Sequence, residues 1–465
     1  MSGISYQVTG GLSEAQLQQL HKTALRVLEE VGVEAPSEEL RGSVAGQDGI
    51  RIDGTRVRLD AALVDRLVRD YRARNGDDDS APPPFSISIL TGYAFRILDR
   101  KDDAVREMTT ADCVDMAKLV DGLHDAGVNG GTPGMPQNVP VPLREVLAYK
   151  ISCENSRTAA EVGYSNYHAA ETIRQMADVA GRGFSVPLFV IDPLRVDGDG
   201  VSMALDFIRA GQPVPLGFSS MPLQGLTSPI HLPGAFVSNV ATVLGAYALF
   251  ACMGIENPLH LHFDVYPMDI RTGSIAYGTP EHVLMYLMGA QVNRFYGASA
   301  RTAKPYHTNA VFPDAHSLVQ RSAFASAAAM AGAREFTFGG MLGVDKVFSA
   351  EQLLIDIEIM RYVERMTESL QFGLETLSFD EIAEAGPGGS FLGSTSTLMH
   401  CRELWSSDHF VNLPFERLCE GGRGRLREAF LSLADGIIAG HDFALEPTVQ
   451  RELDRIFQAF ANEVR

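Results

Sequence analysis

The stretch 186–220, VPLFVIDPLRVDGDGVSMALDFIRAGQPVPLGFSS, governs the reading of the fold. It opens and closes on short apolar runs, VPLFVID (186–192) and VPLGFSS (214–220). Between them, residues 200–210 carry apolar side chains at helical spacing, the pattern of a helix with one buried face. Strand, helix and strand in that order form a parallel pair, because the crossover returns the chain to its starting end. The pattern repeats in both directions. Further strand candidates are GVNGGT (127–132), AAEVGYS (159–165), PLHLHFDV (258–265), RFYGASA (294–300) and EFTFGGML (335–342). Helical patterns separate them at 142–155, 169–180, 234–253, 280–292, 317–331 and 351–372. An open doubly wound sheet would also alternate in this way. Units of this kind over ~250 residues match a barrel better, and no GxGxxG follows the first strand to mark a dinucleotide site. The expectation is an α/β fold, a (β/α)8 TIM-type barrel spanning 85–412.

The flanks read differently. Ser13 precedes a helical run with Gln16 at the capping-box position and Gly32 as its stop, the signals of a well-defined helix. Leu17, Leu20, Ala24, Leu25 and Leu28 share one face of it. Asp53-Gly54 within IRIDGTRVRL signals a hairpin, and 60–73 reads as a second amphipathic helix. NGDDDSAPPP (75–84) has the composition of a linker or exposed loop. Residues 1–84 are therefore expected to form an N-terminal cap of helices and a hairpin, and 413–465 a helical C-terminal extension.

The chain has 465 residues and a formal net charge of -19, which argues against binding a polyanion such as nucleic acid. Its five cysteines, Cys113, Cys153, Cys252, Cys401 and Cys419, form no CxxC pair, so a reducing compartment fits better than a disulfide framework. The N-terminus lacks a basic start followed by an apolar run, so no signal peptide is read. The most apolar stretch, 241–254, reads as too short and glycine-interrupted to span a bilayer. A cytoplasmic protein with no membrane partner is expected.

Several segments resemble the trimethylamine methyltransferase family. LSEAQLQQLHKTALRVLEEVGVE is similar to that family's first helix. MPLQGLTSPIHLPGAF (221–236) resembles its M-x-x-x-G-x-T-x-P-x-x-x-x-G loop, with Gly225, Thr227, Pro229 and Gly234 in register. DIRTGSIAYGTPE (269–281), Pro313-Asp314, Glu351-Gln352 and FLGSTSTLMHCRELW (391–405) follow in the family's order. Each motif alone is weak, and the ordered set covers nearly the whole chain. The resemblance implies a barrel enzyme that demethylates tertiary or quaternary amines and passes the methyl group to the Co(I) corrinoid of a separate partner protein. Founding members carry pyrrolysine before the Pro-Asp pair. Here Val311 or a neighbour stands in that place, and 308–312 offer no nucleophile to capture an amine. This departure favours a quaternary substrate such as glycine betaine over trimethylamine. A corrinoid carried by the partner would be the cofactor, with no tightly bound metal in this chain. Homo-oligomerisation suits such an architecture, but no interface stripe is legible.

Candidate site residues follow from strand ends at the barrel's C-terminal rim. In LHLHFDVY, His260, His262 and Asp264 alternate with Leu261 and Phe263, so all three share one strand face. Satisfied structural polar groups would show the same alternation. Tyr296, Tyr306 and His307 could build an aromatic site for an ammonium ion, although tyrosines also serve simply as packing. His262, His307 and His400 are the catalytic candidates, the last on its match to a family histidine. His260, Asp264, Tyr296, Tyr306, Glu335 and Arg271 are candidates for substrate contact; Arg271 could equally pair with Asp269. Gly339 and Gly340 would let a flat cofactor approach the backbone, or merely relieve tight turns. Two other functions share these residues. The His260/His262 pair could begin the metal site of a zinc-dependent barrel hydrolase or lyase, and a non-catalytic quaternary-amine binder would keep the cage without turnover.

Overall fold

The computed structural model describes residues 2–76, 82–158, 163–407, 409–410, 412–420 and 425–464. Among the described residues, seven strands form two parallel arcs: β1 (Ser86–Ile89), β2 (Val128–Gly130), β3 (Val186–Val190), β4 (Leu216–Ser220), β5 (Leu259–Leu261), β6 (Thr302–Ala303) and β7 (Glu335–Thr337). They pair in two arcs. One runs β6–β7–β1–β2, with Glu335 opposite Ser86 and Thr302, and the other runs β3–β4–β5. Among the described residues, no ladder joins β2 to β3 or β5 to β6. The fold is thus mixed α/β with parallel βα units, and its hydrogen bonds do not draw a continuous closed barrel.

The departures from expectation have local causes. Residues 159–162 of the AAEVGYS candidate lie outside the described residues, as do 77–81 of the acidic linker. No part of RFYGASA is a strand: the helix Pro280–Tyr296 runs into it and stops at Gly297, which adopts a left-handed φ of 72°, and β6 begins only at Thr302. A short apolar run suits either structure, and here the preceding helix simply continues. EFTFGGML is broken into β7 and a separate two-residue strand, Met341–Leu342, since Phe338 takes a φ of 67° and turns the chain between them. The helix Leu232–Cys252 is longer than the 241–254 stretch suggested, and its 21 residues are long and apolar enough to cross a membrane. It is a core helix instead: 78% of its most apolar window is buried inside the molecule.

That helix binds the N-terminal region to the strands. Leu17, Leu20, Ala24 and Leu28 of the first helical segment share one core with Val186, Leu216 and the Leu232–Cys252 helix. Gly245 is required there, as a Cβ would come within 2.5 Å of Val33 Cγ1. The expected capping box is formed, with Ser13 and Gln16 each bonding the other's backbone N–H. The expected hairpin pairs Ile50–Asp53 with Arg56–Leu59. A second core lies under β1, β2 and β7 and takes Phe430 and Ala434 from the C-terminal helix Arg425–Ala439. The last helix, Pro447–Glu463, packs Leu453, Ile456 and Phe460 against the helices Arg144–Asn155 and Tyr167–Ala180.

The turn after β7 is held by a buried ion pair. Arg321 Nη1 donates to Asp356 Oδ2 at 2.6 Å, and both side chains are fully buried. Arg321 also bonds the Met341 carbonyl, the Gly340 N–H donates to Asp356 at 2.7 Å, and Gln352 donates to Asp356 at 2.9 Å. Removing one partner would leave the other charge buried and unpaired. Asp356→Ala is expected to lower the unfolding free energy by about 3–5 kcal/mol, measured by urea denaturation; a loss under about 1 kcal/mol would show that the pair does not anchor this turn.

Candidate active site

The alternation along β5 and just beyond it is as period two requires. Leu261, Phe263 and Val265 are buried in the core, and His260, His262 and Asp264 take the other face. The three do not meet at one place. His260 stands exposed at the beginning of β5, beside Tyr71, Asn75 and Gly297. His262 lies further along and donates from Nε2 to Asp264 Oδ2 at 2.8 Å. Lys304, immediately after β6, donates to the same oxygen at 2.5 Å, and the Tyr266 hydroxyl donates to it at 3.1 Å. Burial opposes ionisation of Asp264, yet the charges and hydrogen bonds of His262 and Lys304 outweigh it and hold the carboxyl far below its ordinary range. The space behind this cluster, bounded by His282 and Tyr286, is about 30 Å³, room for water but not for an amine substrate.

Beside the cluster stands a stack of aromatic rings. Tyr277 lies parallel to His307 with ring centres 4.2 Å apart, and Phe338 covers the ring at 3.9 Å. Tyr93 meets Phe338 edge-on at 5.1 Å, and Tyr266 meets Tyr277 at 6.0 Å. His307 is almost fully buried and donates from Nδ1 to the Asp345 carboxylate at 2.9 Å. That bond occupies Nδ1 and leaves Nε2 for another partner. Tyr93 is 41% exposed and so marks the open side. His282 closes the inner side, near Tyr266 and Tyr277, and accepts the Gly278 N–H at 3.2 Å. Burial first, then the neighbouring His307, pushes its pKa down to about 3, so it stays neutral.

The loop that supplies Phe338 and Asp345 is strained. Phe338, Val344 and Asp345 have φ of 67°, 57° and 60°, a region that costs a non-glycine residue about 1–3 kcal/mol. Gly343 N–H to the Ala310 carbonyl (2.7 Å) and Val344 N–H to the Thr308 carbonyl (2.9 Å) tie this loop to the His307 segment. Asn309 in turn accepts the Tyr277 N–H at 2.8 Å. One short segment, 307–310, therefore registers three loops around the rings.

Of the expected site residues, the structure brings together His262, Asp264 and His307. Tyr306 points the opposite way from His307: it is fully buried, and its hydroxyl donates to the Asp356 carbonyl. Tyr296 is buried in the last turn of its helix against His21. Glu335 sits at the start of β7 and accepts from Thr302 at 3.0 Å, away from the rings. Arg271 is exposed and forms a bidentate pair with Asp269. His400 is exposed in the helix Thr395–His400, bonded to Glu403. Gly339 and Gly340 answer to packing, since a Cβ would come within 2.5 Å of Ile87 Cγ2 or Phe348 Cε2. Lys304, Tyr93, Tyr266, Tyr277, His282, Phe338 and Asp345 were not anticipated. Lys304 alone left a local trace, sharing strand parity with Thr302. Among the described residues, no group of three or more His, Cys, Asp or Glu is placed to share a metal ion. His262 and His307 each turn to their own carboxylate.

With this geometry in view, the comparisons with known proteins are direct. A family model described as trimethylamine methyltransferase (MTTB) matches residues 5–463. The chain belongs to the trimethylamine methyltransferase family. It is 26% identical to a glycine betaine methyltransferase of Desulfitobacterium hafniense, covering 85% of each chain. It is 23% identical to the trimethylamine methyltransferase MttB of another strain of that species, covering 84% of this chain and 82% of the relative. A solved monomethylamine methyltransferase, MtmB of Methanosarcina barkeri, aligns over 93% of this chain and 89% of its own length at 11% identity and a TM-score of 0.46. Within the family's Pro-Asp motif, Asp314 caps the helix Ala315–Met330 by accepting the N–H groups of His316 and Ser317. Val311, just before it, lies 41% exposed near Gly343 on the open side.

The neutral His282 has a consequence for stability. Its pKa falls from the ordinary 6.5 to about 3 on folding, so below pH 6.5 the unfolded chain binds a proton that the folded chain refuses. Stability falls with pH across this window, and His282 accounts for roughly 1.5 kcal/mol of the loss between pH 6.5 and 5. His282→Gln, compared with wild type by urea denaturation at both pH values, is expected to lose less by that amount. Equal losses would mean that the ring is protonated in the folded protein.

Proposed function

We propose that this chain is an enzyme that moves a methyl group from a quaternary amine such as a betaine to the reduced corrinoid of a partner protein. The observation that carries the reading is the aromatic enclosure of Tyr266, Tyr277, His307, Phe338 and Tyr93 with two carboxylates beside it. Ring faces and anions attract weakly hydrated ammonium ions. Asp264 and Asp345 place two carboxylates beside the rings, which suits a cation. Membership of the methyltransferase family and similarity to a glycine betaine methyltransferase support the same choice.

The chemistry suits such a site. When the C–N bond of a quaternary ammonium breaks, its electron pair stays on nitrogen, and a neutral tertiary amine leaves without a general acid. The reduced corrinoid supplies the nucleophile for the methyl group. The chain's own residues then bind, orient and exclude water. Tyr277 and Phe338 flank the His307 ring, whose tilt Asp345 holds. Lys304 is the cationic donor nearest the rings and, with His262 beside it, would meet the carboxylate of a betaine. Tyr93, Phe95, Phe189 and Val311 are exposed around the strand ends, an apolar rim suited to a flat macrocycle. The two parallel arcs are read as the walls of a (β/α)8 barrel over 85–412, with a cap of residues 1–84 and an extension of 413–465. A cytoplasmic location belongs to the same proposal.

The test is incubation with reduced cobalamin and a panel of glycine betaine, proline betaine, carnitine, choline and trimethylamine, following methylcobalamin by absorbance. Methyl transfer from a quaternary amine is expected, with trimethylamine slower. Tyr277→Leu is expected to lower kcat/KM by about 30-fold, the loss of roughly 2 kcal/mol of desolvated cation–π attraction. Betaine binding without any methyl transfer would instead indicate a binder. An unchanged rate in Tyr277→Leu would remove the ring stack from the site.

A further inference from the structure

Residues 373–404 form an excursion whose surface water does not suit. Not one of them is buried. Leu374 is 90% exposed and Leu392 81%, and Phe379, Leu398, Met399 and Leu404 are also largely uncovered. Among the described residues, the hydrogen bonds of the excursion close within it, as Ser396 N–H to Glu381 and His400 to Glu403 do. Among the described residues it is tethered at its ends. Leu370–Phe372 pairs with Ser2–Ile4, and Trp405 packs on Tyr362 at 5.3 Å. These six large apolar side chains, left in water within one 32-residue segment, point to an interaction site.

A complementary surface starts where the excursion leaves. Ile4 is paired with Leu370, and the residues that follow it, 5–12, floor a groove of about 790 Å³. Leu232, Leu284, Leu287 and Met288 wall this groove, and its charged lining residues are Arg294 and Arg334 alone. Both guanidinium groups bond backbone carbonyls, which do not cancel charge, although Arg334 also feels the Glu364 carboxylate. The excursion carries the opposite sign: Glu375, Asp380, Glu381, Glu384 and Glu403 stand against Arg402. An apolar, acidic arm and an apolar, arginine-flanked groove thus adjoin on one face. A face that carries both halves of a contact is self-complementary under a two-fold axis.

We propose that residues 373–404 of one copy lie in the groove between 5–12 and the helix Pro280–Tyr296 of a second copy, and reciprocally. The inference is independent of the reaction assigned above. The full chain is tested by light scattering after gel filtration, where an assembly of two or more copies is expected. Leu392→Glu with Leu398→Glu, and separately Leu284→Glu in the groove, are expected to raise the dissociation constant at least tenfold with unchanged helical circular dichroism. The groove variant stands as the test if the arm variant does not fold. Cys401 is exposed, so a chain bearing Leu284→Cys and Cys401→Ser, mixed with one keeping Cys401, is expected to give a bismaleimide-linked dimer when Cys419 is Ser in both. A monomeric wild type, variants that assemble as wild type, or the absence of a linked dimer from the mixed chains would each overturn the proposal. Release of the arm only on adding a corrinoid protein would do so as well.

Discussion

The arrangement of the site depends on one buried charge pair. After β7 the chain must turn through left-handed backbone at Phe338, Gly340, Gly343, Val344 and Asp345, conformations that side chains other than glycine resist. Arg321 and Asp356 hold that turn from beneath, one through the Met341 carbonyl and the other through the Gly340 N–H. Their helices, Ala315–Met330 and Ala350–Thr367, pack on each other, so the clamp is as rigid as the layer that carries it. The gain is positional. Phe338 is delivered to one face of His307 and Asp345 to its Nδ1, from a loop that would otherwise relax away from both. A buried pair of this kind adds little net stability but strongly disfavours arrangements that separate it.

Electrostatically the site divides in two. Asp264 collects three donors and is committed to them: His262, Lys304 and Tyr266. Asp345 has one, the ring nitrogen of His307. Burial keeps His282 uncharged between these groups, so the enclosure does not accumulate positive charge near the place where a cation would lie. The tyrosines contribute in the same sense. Tyr266 and Tyr277 are pushed well above the ordinary phenol range by burial first and nearby carboxylates next, and neutral rings offer their faces rather than a charge.

Two segments with large apolar side chains have opposite fates. The helix Leu232–Cys252, apolar along most of its length, is buried between the N-terminal helices and β3–β5, and glycine and alanine positions along it allow close approach. The segment 373–404 mixes its leucines and phenylalanines with glycine, serine and acidic residues, and none of those side chains is buried among the described residues. A leucine or phenylalanine in a sequence does not by itself state whether it will be covered.

Features made by neighbours in the chain were legible in the residues themselves. The Ser13–Gln16 capping box, the Asp53-Gly54 hairpin, the parallel βα alternation and the two-residue period that sets His262 and Asp264 on one face all follow from local geometry. Features made by distant segments were not. Lys304 reaches Asp264 across 40 positions, His307 meets Asp345 across 38, and Tyr93 joins Phe338 from the loop after the neighbouring strand β1, far away in sequence. Tyr306 and His307 are adjacent in sequence, yet one faces the core and the other the ring stack. Periodicity states that neighbouring side chains diverge but not which of them faces the cavity. That choice falls to the register of the strands and the turn clamped by Arg321 and Asp356, because only packing across the whole domain assigns an inside to each face.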